Sequence, residues 1–184
     1  GTNRSPKPDA SMKRIPASAT LLTFCLWFPV AATDKANPSQ DVNVRDFGAK
    51  ADGKSDDAPA IQRAIEQVAI TGGRVSLPAA TKPYIIRTSL FISADNVELY
   101  GPGATIKLAD EASGGKIIDC IIIEGTEKKP VSGVRITGLT IDANYWKQTG
   151  SANPRGIDSD WATKLVIEKV TIKRPFVGLT FGLG

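Results

Sequence analysis

Residues 42–65 read VNVRDFGAKADGKSDDAPAIQRAI, and this stretch decides the fold. Its first residues alternate between apolar and polar side chains, which predicts a short strand. The dipeptide Asp52-Gly53 predicts a turn after that strand. The next residues include Ser55, Asp56 and Asp57, whose side-chain oxygens are suited to capping a helix. A proline follows them, and the first turn of a helix accepts proline. The order is therefore strand, turn, cap and helix.

The predicted helix has one apolar face. Apolar residues recur at helical spacing along it, which is the pattern of a helix that packs on a core; they are Ala60, Ile61, Ala64, Ile65 and Val68. We expect the helix to end at residues 71–73, which read TGG, because glycine accepts the left-handed conformation common at helix ends.

After residue 73 the pattern predicts short strands and no second helix of useful length. Residues 134–142 (VRITGLTID) align with residues 165–173 (LVIEKVTIK) at an offset of 31. Residues 96–99 are a looser, earlier copy. The apolar positions that coincide are Ile136 with Ile167, Leu139 with Val170, and Ile141 with Ile172. Imperfect repeats of this length that contain short strands are typical of a solenoid or a propeller.

The fold predicted is all-β: a right-handed parallel β-helix, or solenoid, with an N-terminal capping α-helix. Each rung stacks its apolar side chains on the next, and loops project between rungs. Residues 143–163 are the predicted projecting loop. A β-sandwich is the alternative, because short strands with turn signals also fit one. The amphipathic helix ahead of the strands favours the solenoid, whose first rung needs a cover.

The N-terminal residues indicate export. Met12 is followed by two basic residues, by an apolar run over residues 19–28, and by PVAA at residues 29–32. This is the layout of a secretory signal peptide, and the run is too short to span a bilayer. The domain prediction is an upstream or tag-like segment at 1–11, a signal peptide at 12–32, a linker at 33–41 and the β-helix at 42–184. The expected location is secreted or periplasmic, with no membrane attachment after cleavage.

Charge and composition exclude several classes of function. The formal net charge is +4, but residues 1–32 contain four basic residues and one acidic residue, so residues 33–184 have a net charge of +1. That leaves no basic excess of the kind that nucleic-acid binding requires. The chain has no histidine, which excludes imidazole catalysis within it. Cys120 lies in an apolar run and is predicted to be a buried structural thiol.

Five segments carry a family resemblance, and they occur in the family's order. They are residues 42–65, 72–78 (GGRVSLP), 84–87 (YIIR), 96–106 (NVELYGPGATI) and 138–144 (GLTIDAN). In them the chain resembles the pectate-lyase-like superfamily, in the variant that includes rhamnogalacturonases, polygalacturonase-related (family 28-related) glycoside hydrolases and mannuronan epimerases. The turn at residues 78–84 is longer here than in relatives.

The resemblance implies an enzyme that acts on acidic, uronate-containing polysaccharide. A polygalacturonase- or rhamnogalacturonase-related hydrolase is the leading prediction. A polysaccharide lyase or C5-epimerase, and a non-catalytic glycan-binding β-helix of the tailspike or adhesin kind, are the alternatives. Calcium would be the cofactor only of a lyase, and no metal ligands or other cofactor are predicted.

The hydrolase motifs are incomplete in this sequence. Residues 153–158 (NPRGID) resemble a catalytic Asn-Thr-Asp segment, but Arg155 stands where the first aspartate belongs. Neither the paired aspartates of the next rung nor a Gly-His-Gly segment is present. We therefore expect residues 42–184 to be the N-terminal part of a longer β-helix that contains the complete active site. The catalytic candidates within it are Asp142, Asp158, Asp160 and Arg155.

The predicted loop contains the candidates for sugar binding. Aromatic rings stack on sugars, and a cationic side chain attracts uronate carboxylates. The substrate-binding candidates are Asn144, Tyr145, Trp146, Lys147 and Trp161. The structural alternative for Asp142 and Asn144 is an Asx-turn that closes a rung. For Asp52, Asp56 and Asp57 helix capping is favoured over calcium binding.

Overall fold

A computed structural model describes residues 1, 40–150 and 152–182 of the chain. The predicted signal peptide and most of the predicted linker lie outside the described residues. Within these residues there is one α-helix, α1 (Ala58–Val68), which lies between the first and second of the short strands. The strands are β1 (Asp41–Asn43), β2 (Gly73–Ser76), β3 (Tyr84–Ile86), β4 (Leu90–Ile92), β5 (Val97–Tyr100), β6 (Thr105–Leu108), β7 (Asp119–Glu124), β8 (Val131–Ser132), β9 (Arg135–Thr137), β10 (Thr140–Asp142), β11 (Arg155–Asp160), β12 (Ala162–Thr163), β13 (Val166–Glu168), β14 (Thr171–Lys173) and β15 (Val177–Phe181).

The strands form three stacked parallel sheets, which confirms the parallel β-helix. Sheet 1 has the order β1-β2-β5-β9-β13, sheet 2 the order β3-β6-β10-β14, and sheet 3 the order β4-β7-β11-β15. A short fourth sheet pairs β8 with β12. From β2 onward, successive strands of the chain contribute to different sheets, so each circuit of the chain adds one rung. Within the described ranges, no helix is long and apolar enough to cross a membrane.

Apolar side chains stack inside the solenoid in register. In sheet 1 Leu99 pairs with Ile136, and Ile136 pairs with Ile167; in sheet 2 Ile141 pairs with Ile172. The last two pairs are separated by 31 residues, which confirms the repeat seen in the sequence. Cys120 is fully buried in the same core, and burial raises the pKa of its thiol, as expected of a structural cysteine.

Helix α1 buries the face that its sequence predicts. Ala60, Ile61, Ala64, Ile65 and Val68 are all buried in the core cluster. The helix contacts β1 to β4, all near the N-terminal end of the sheets. It ends at Val68, earlier than the predicted TGG at residues 71–73. Gly73 instead begins β2, where a Cβ atom would lie 2.5 Å from the carbonyl oxygen of Gln40. That the helix serves as the cover of the first rung stays a prediction.

The predicted capping by Asp57 is wrong. Asp57 stands at the N-cap position, but its side chain makes no capping hydrogen bond. Its carboxylate accepts the backbone N–H groups of Lys50 at 2.7 Å and Ala51 at 3.1 Å. Ala51 is buried, with a left-handed φ of 51°, so its N–H group needs a partner within the protein. The cap comes from Asp56, whose Oδ1 accepts the N–H of Ala58 at 3.1 Å.

The predicted projecting loop over residues 143–163 is also wrong in extent. Strand β11 occupies Arg155–Asp160 in the middle of sheet 3, and β12 follows at Ala162–Thr163. The connection between sheets 2 and 3 therefore covers residues 143–154 only, with a 3₁₀ turn at Tyr145–Lys147. The sequence of β11, RGIDSD, contains polar residues and a glycine, so its β pattern is weak on its own. Its neighbours β7 and β15 determine its conformation by pairing with it on both sides.

Candidate functional site

Several of the candidate residues lie at the corner between sheets 2 and 3. Strand β10 ends at Asp142, and β11 begins at Arg155 on the same rung. One circuit later, β14 ends at Lys173 and β15 begins at Val177, with Arg174 in the turn between them. Loops and strand ends on a rigid scaffold are the usual places for binding groups. We refer to this region, residues 142–155 and 173–177, as the corner.

Asp142 forms an ion pair with Arg174. The guanidinium Nε of Arg174 donates to Oδ1 of Asp142 at 2.9 Å, and a second guanidinium nitrogen donates to Oδ2. This hydrogen bond raises the pKa of Arg174. The Asp142 side chain is 10% exposed and that of Arg174 is 47% exposed. The aspartate is therefore an anchor beneath the surface, while the cation faces solvent and is available to a ligand.

Asn144 is a buried connector and not a surface contact. Its backbone is left-handed, with φ of 49°, and only 1% of the residue is exposed. Its side-chain amide donates to the carbonyl of Leu108 at 3.0 Å and to Asp110 Oδ1 at 2.8 Å. Its backbone N–H donates to Asp142 Oδ1 at 3.1 Å, which is the predicted Asx-turn. The bond from Asn144 lowers the pKa of Asp110.

Arg155 links two aspartates on the third sheet. Its guanidinium donates to both carboxylate oxygens of Asp119, each at 2.9 Å, and lies 3.0 Å from Oδ1 of Asp158. The hydroxyl of Thr180 donates to the same Asp158 oxygen at 2.6 Å. The bonds to Asp119 raise the pKa of Arg155. Arg155 thus joins three neighbouring strands of sheet 3, β7, β11 and β15. Two of the catalytic candidates, Arg155 and Asp158, form an ion pair with each other.

Aromatic rings cover the outside of the corner. The rings of Tyr145 and Trp146 have centroids 4.6 Å apart, and Tyr145 lies 5.5 Å from Phe176 of the next rung. Trp146 is 77% exposed, and Lys147 beside it is also exposed. An exposed indole next to cations is suited to stacking on a charged sugar ring. That Trp146 and Lys147 contact a sugar stays a prediction.

Asp160 and Trp161 lie away from the corner. Six residues of extended strand separate Arg155 from Trp161, a distance of roughly 20 Å at strand rise. Asp160 pairs in register with Glu124, and its carboxylate lies against Gly182. Trp161 is in the turn before β12, with a left-handed φ of 50°. These two candidates do not join Asp142 or Trp146 in one site.

The carboxylates at the corner and on the neighbouring strands β7 and β11 do not form a calcium cage. Calcium takes six to eight oxygen ligands, usually from several carboxylates. Here Asp142 forms an ion pair with Arg174, and Asp119 and Asp158 both form ion pairs with Arg155. In the part of the chain that the structure describes, no group of three or more acidic, histidine or cysteine side chains is arranged to hold a metal ion. The side chains described at and beside the corner therefore do not fit the calcium that a lyase would use.

Sequence reasoning missed three residues of this arrangement. Asp119 precedes an apolar run, Asp110 follows one, and Arg174 follows the second copy of the 31-residue repeat. The one usable signal was that Arg174 directly follows the position equivalent to Asp142, because the paired strands place Lys173 beside Asp142. A charged residue just past a predicted strand end is a candidate partner for the residue one rung earlier.

Comparisons with known proteins agree on one family. Residues 41–178 match the family described as rhamnogalacturonase A/epimerase, pectate lyase-like. The chain is 40% identical over 115 residues to mannuronan C5-epimerase AlgE6 of Azotobacter vinelandii, which covers 56% of this chain and 12% of that protein. The chain therefore spans a small part of the curated relatives that it matches.

Solved structures agree on the fold. The A-module of Azotobacter vinelandii mannuronan C-5 epimerase AlgE6 matches with a TM-score of 0.64 and 28% identity, over 77% of this chain and 41% of that one. PfbA, a surface adhesin of Streptococcus pneumoniae, matches with a TM-score of 0.57 and 23% identity, over 72% and 33%. The second likeness concerns the fold alone, since one fold serves many functions.

Proposed function

Because the chain belongs to the rhamnogalacturonase A/epimerase, pectate lyase-like family, we propose that it binds acidic polysaccharide at the corner between sheets 2 and 3. The observation that carries this proposal is the half-exposed Arg174, anchored from beneath by Asp142. An arginine whose geometry is held by a buried carboxylate is pre-organised to pair with a second carboxylate from solvent.

The surroundings of Arg174 support a uronate as the ligand. Lys107 and Lys173 flank Asp142 in register on the neighbouring strands of sheet 2, and Lys147 lies in the adjoining turn. Trp146 offers an exposed ring beside these cations. A sugar with a carboxylate matches both features, because its ring stacks on the indole while its charge meets the cations.

For the reaction of the whole protein we propose C5 epimerisation of a uronate. That reaction removes the proton next to the carboxylate, and cations that neutralise the carboxylate lower its cost. The curated relatives matched are named mannuronan C5-epimerases. In this proposal the corner residues bind and neutralise the uronate; proton transfer is not assigned to any of them.

Hydrolysis, the leading prediction from sequence, has less support at the corner. An inverting hydrolase needs one carboxyl group with a proton to donate and a second one as base. Asp142 and Asp158 are both acceptors in ion pairs with arginine. Each carboxylate is therefore engaged by an arginine, an arrangement that suits anchoring better than proton donation.

The test has a binding arm and a reaction arm. In the binding arm the chain is titrated with polymannuronate by calorimetry, and Arg174→Ala is expected to weaken binding roughly tenfold, the loss of one charged hydrogen bond. The matched control is Arg135→Ala, which removes an arginine that pairs with Glu168 on sheet 1. Absence of binding by the unaltered chain, or equal losses in both variants, would overturn the proposed site.

In the reaction arm the complete gene product is incubated with polymannuronate in deuterated water. Epimerisation predicts deuterium at C5 and a change of sugar configuration, without new reducing ends and without the ultraviolet absorbance of an unsaturated uronate. Reducing ends alone would instead establish hydrolysis, and absorbance would establish elimination.

A further inference from the structure

A cavity lies on sheet 2, and its nearer edge is on β6, the strand next to β10 of the corner. Its volume is about 380 Å³, within the range of about 300–1,000 Å³ typical of small-ligand pockets. The loop at residues 53–54 forms one wall, and β3 and β6 with the residues that follow them form the other. The proposed function gives no role to Lys54 or Arg87 of this lining.

Three of the seven residues that line the cavity are cationic. The cations are Lys54, Arg87 and Lys107, and the single acidic residue of the lining is Asp110. Lys107 and Asp110 are 3.8 Å apart and partly exposed, a pair of the kind that contributes little. The side chains of Lys54 and Arg87 are exposed and make no ion pair with any described residue. Two positive charges are thus available to an anion from solvent.

The loop that presents Lys54 is held rigidly by its own acidic residues. Asp52 accepts the N–H groups of Lys54 at 2.8 Å and Ser55 at 2.7 Å, as well as the Ser55 hydroxyl at 2.8 Å. Those bonds lower the pKa of Asp52 to about 2, so the carboxylate stays ionised at neutral pH. The loop position of Lys54 therefore does not depend on a bound ligand.

The same loop is fastened to sheet 2. The N–H of Gly53 donates to the carbonyl of Pro83 at 3.2 Å, and that of Asp57 donates to Ile85 at 2.7 Å. The N–H of Arg87 donates to Asp56 Oδ1 at 3.2 Å. Lys54 and Arg87 are consequently attached to one rigid frame, which lowers the ordering cost of binding between them.

The cavity is continuous with the corner. In sheet 2 Ile85 pairs with Lys107, and Lys107 pairs with Asp142. Adjacent strands lie about 4.8 Å apart, so the cavity begins about 5–10 Å from Asp142 along the sheet. Asp110 connects the two, because it lines the cavity and accepts a hydrogen bond from the side-chain amide of Asn144, a corner residue, at 2.8 Å.

We propose that this cavity is a distal subsite that binds the carboxylate of a second uronate residue in a chain whose nearer residue occupies the corner. The proposal rests on the proposed function, and it adds a requirement for chain length. Arginine and lysine on a fixed frame match a carboxylate, and the row of strands gives the direction in which the polymer runs.

The experiment compares oligomers of uronate by length. The chain is titrated with a uronate disaccharide and with a longer oligouronate, and then with the longer oligomer after its carboxyl groups have been reduced to alcohols. The test variant is Lys54→Ala/Arg87→Ala. The control variant is Lys128→Ala/Lys129→Ala, which loses the same charge from the exposed loop between β7 and β8.

The unaltered chain is expected to bind the longer oligomer more tightly than the disaccharide and to lose this gain when the carboxyl groups are reduced. The test variant should bind the longer oligomer roughly tenfold to thirtyfold more weakly, the loss of two exposed charge contacts, with disaccharide affinity unchanged. The control should change either affinity less than about twofold. Thermal unfolding of both variants should match that of the unaltered chain, because all four side chains are exposed.

The two proposals fail in different ways. If the unaltered chain binds neither oligomer, the proposed function is overturned and the subsite with it. If the unaltered chain binds and the test variant keeps its affinity for the longer oligomer, the subsite alone is overturned. Equal losses in the test and control variants, or a loss for the disaccharide as well, would also overturn the subsite, since the cations would then act through net charge only.

Discussion

Replacement of Arg155 by methionine should destabilise the fold strongly, although the side chain lies at the surface end of a strand. Two hydrogen bonds of 2.9 Å join its guanidinium to Asp119, whose side chain is 5% exposed. Removal of one partner of a fully buried ion pair costs about 3–5 kcal/mol. Arg155 is itself 29% exposed, and water can reach the carboxylate after the change, so we expect about 2–3 kcal/mol.

A double-mutant cycle tests whether this cost belongs to the pair. Arg155→Met, Asp119→Asn and the double variant are unfolded in urea, and the coupling free energy is expected to be about 1.5–2 kcal/mol. The control cycle uses the exposed pair Lys107 and Asp110 at 3.8 Å, for which we expect less than about 0.5 kcal/mol. A coupling below about 0.5 kcal/mol for Arg155 and Asp119 would refute the view that Arg155 is a structural tie between strands.

Four further predictions use other measurements. Asn144→Ala should lower the free energy of unfolding by about 2–3 kcal/mol, because the side-chain hydrogen bonds are lost and alanine disfavours the left-handed backbone. Asn144→Gly loses the same hydrogen bonds but accepts this backbone, so its destabilisation should be smaller by about 1 kcal/mol. Carboxyl NMR should place the pKa of Asp52 near 2, below its ordinary value of 3.8. The ionised Asp52 carboxylate should thus contribute its full stabilisation above pH 3.8, and this contribution should be lost as the pH falls through about 2. A measured pKa near 3.8 would contradict the hydrogen bonds of the loop. Ile136→Ala should cost about 3 kcal/mol in urea unfolding and Ile70→Ala less than about 0.5 kcal/mol, since the first is buried and the second is 78% exposed. Trp146→Ala should weaken oligouronate binding roughly fivefold in calorimetry, the loss of one stacking contact, and unchanged affinity would remove the indole from the proposed site.

The sequence was sufficient for the elements whose pattern is local. The apolar face of α1 is visible as a 3.6-residue period, and it is the face that the structure buries. The offset of 31 between Ile136 and Ile167 reports a circuit of the chain, because stacked rungs place equivalent apolar residues in register. Strand β11 was misread as loop because its residues alternate weakly and its strand character comes from its neighbours.

The candidate site was predictable only in part. Trp146 and Lys147 were recognised because exposed aromatic and cationic residues near a strand end stand out in a polar segment. Trp161 was grouped with them because both tryptophans fell inside the misread loop, and the strand between them separates the two. Asp57 was assigned to the helix cap from its position in the sequence. In the structure its carboxylate instead accepts a hydrogen bond from the buried backbone N–H of Ala51.

By itself the sequence determined the class of fold, the packing face of the helix and the period of the rungs. These properties depend on which residues avoid water, and hydrophobic periodicity records that choice along the chain. The tertiary structure decided which charges meet. Arg174 lies 32 residues from Asp142, and Arg155 lies 36 residues from Asp119. An ion pair between rungs depends on the length of every intervening turn and on the solvent exposure of both charged groups. The local sequence pattern predicts neither of these quantities.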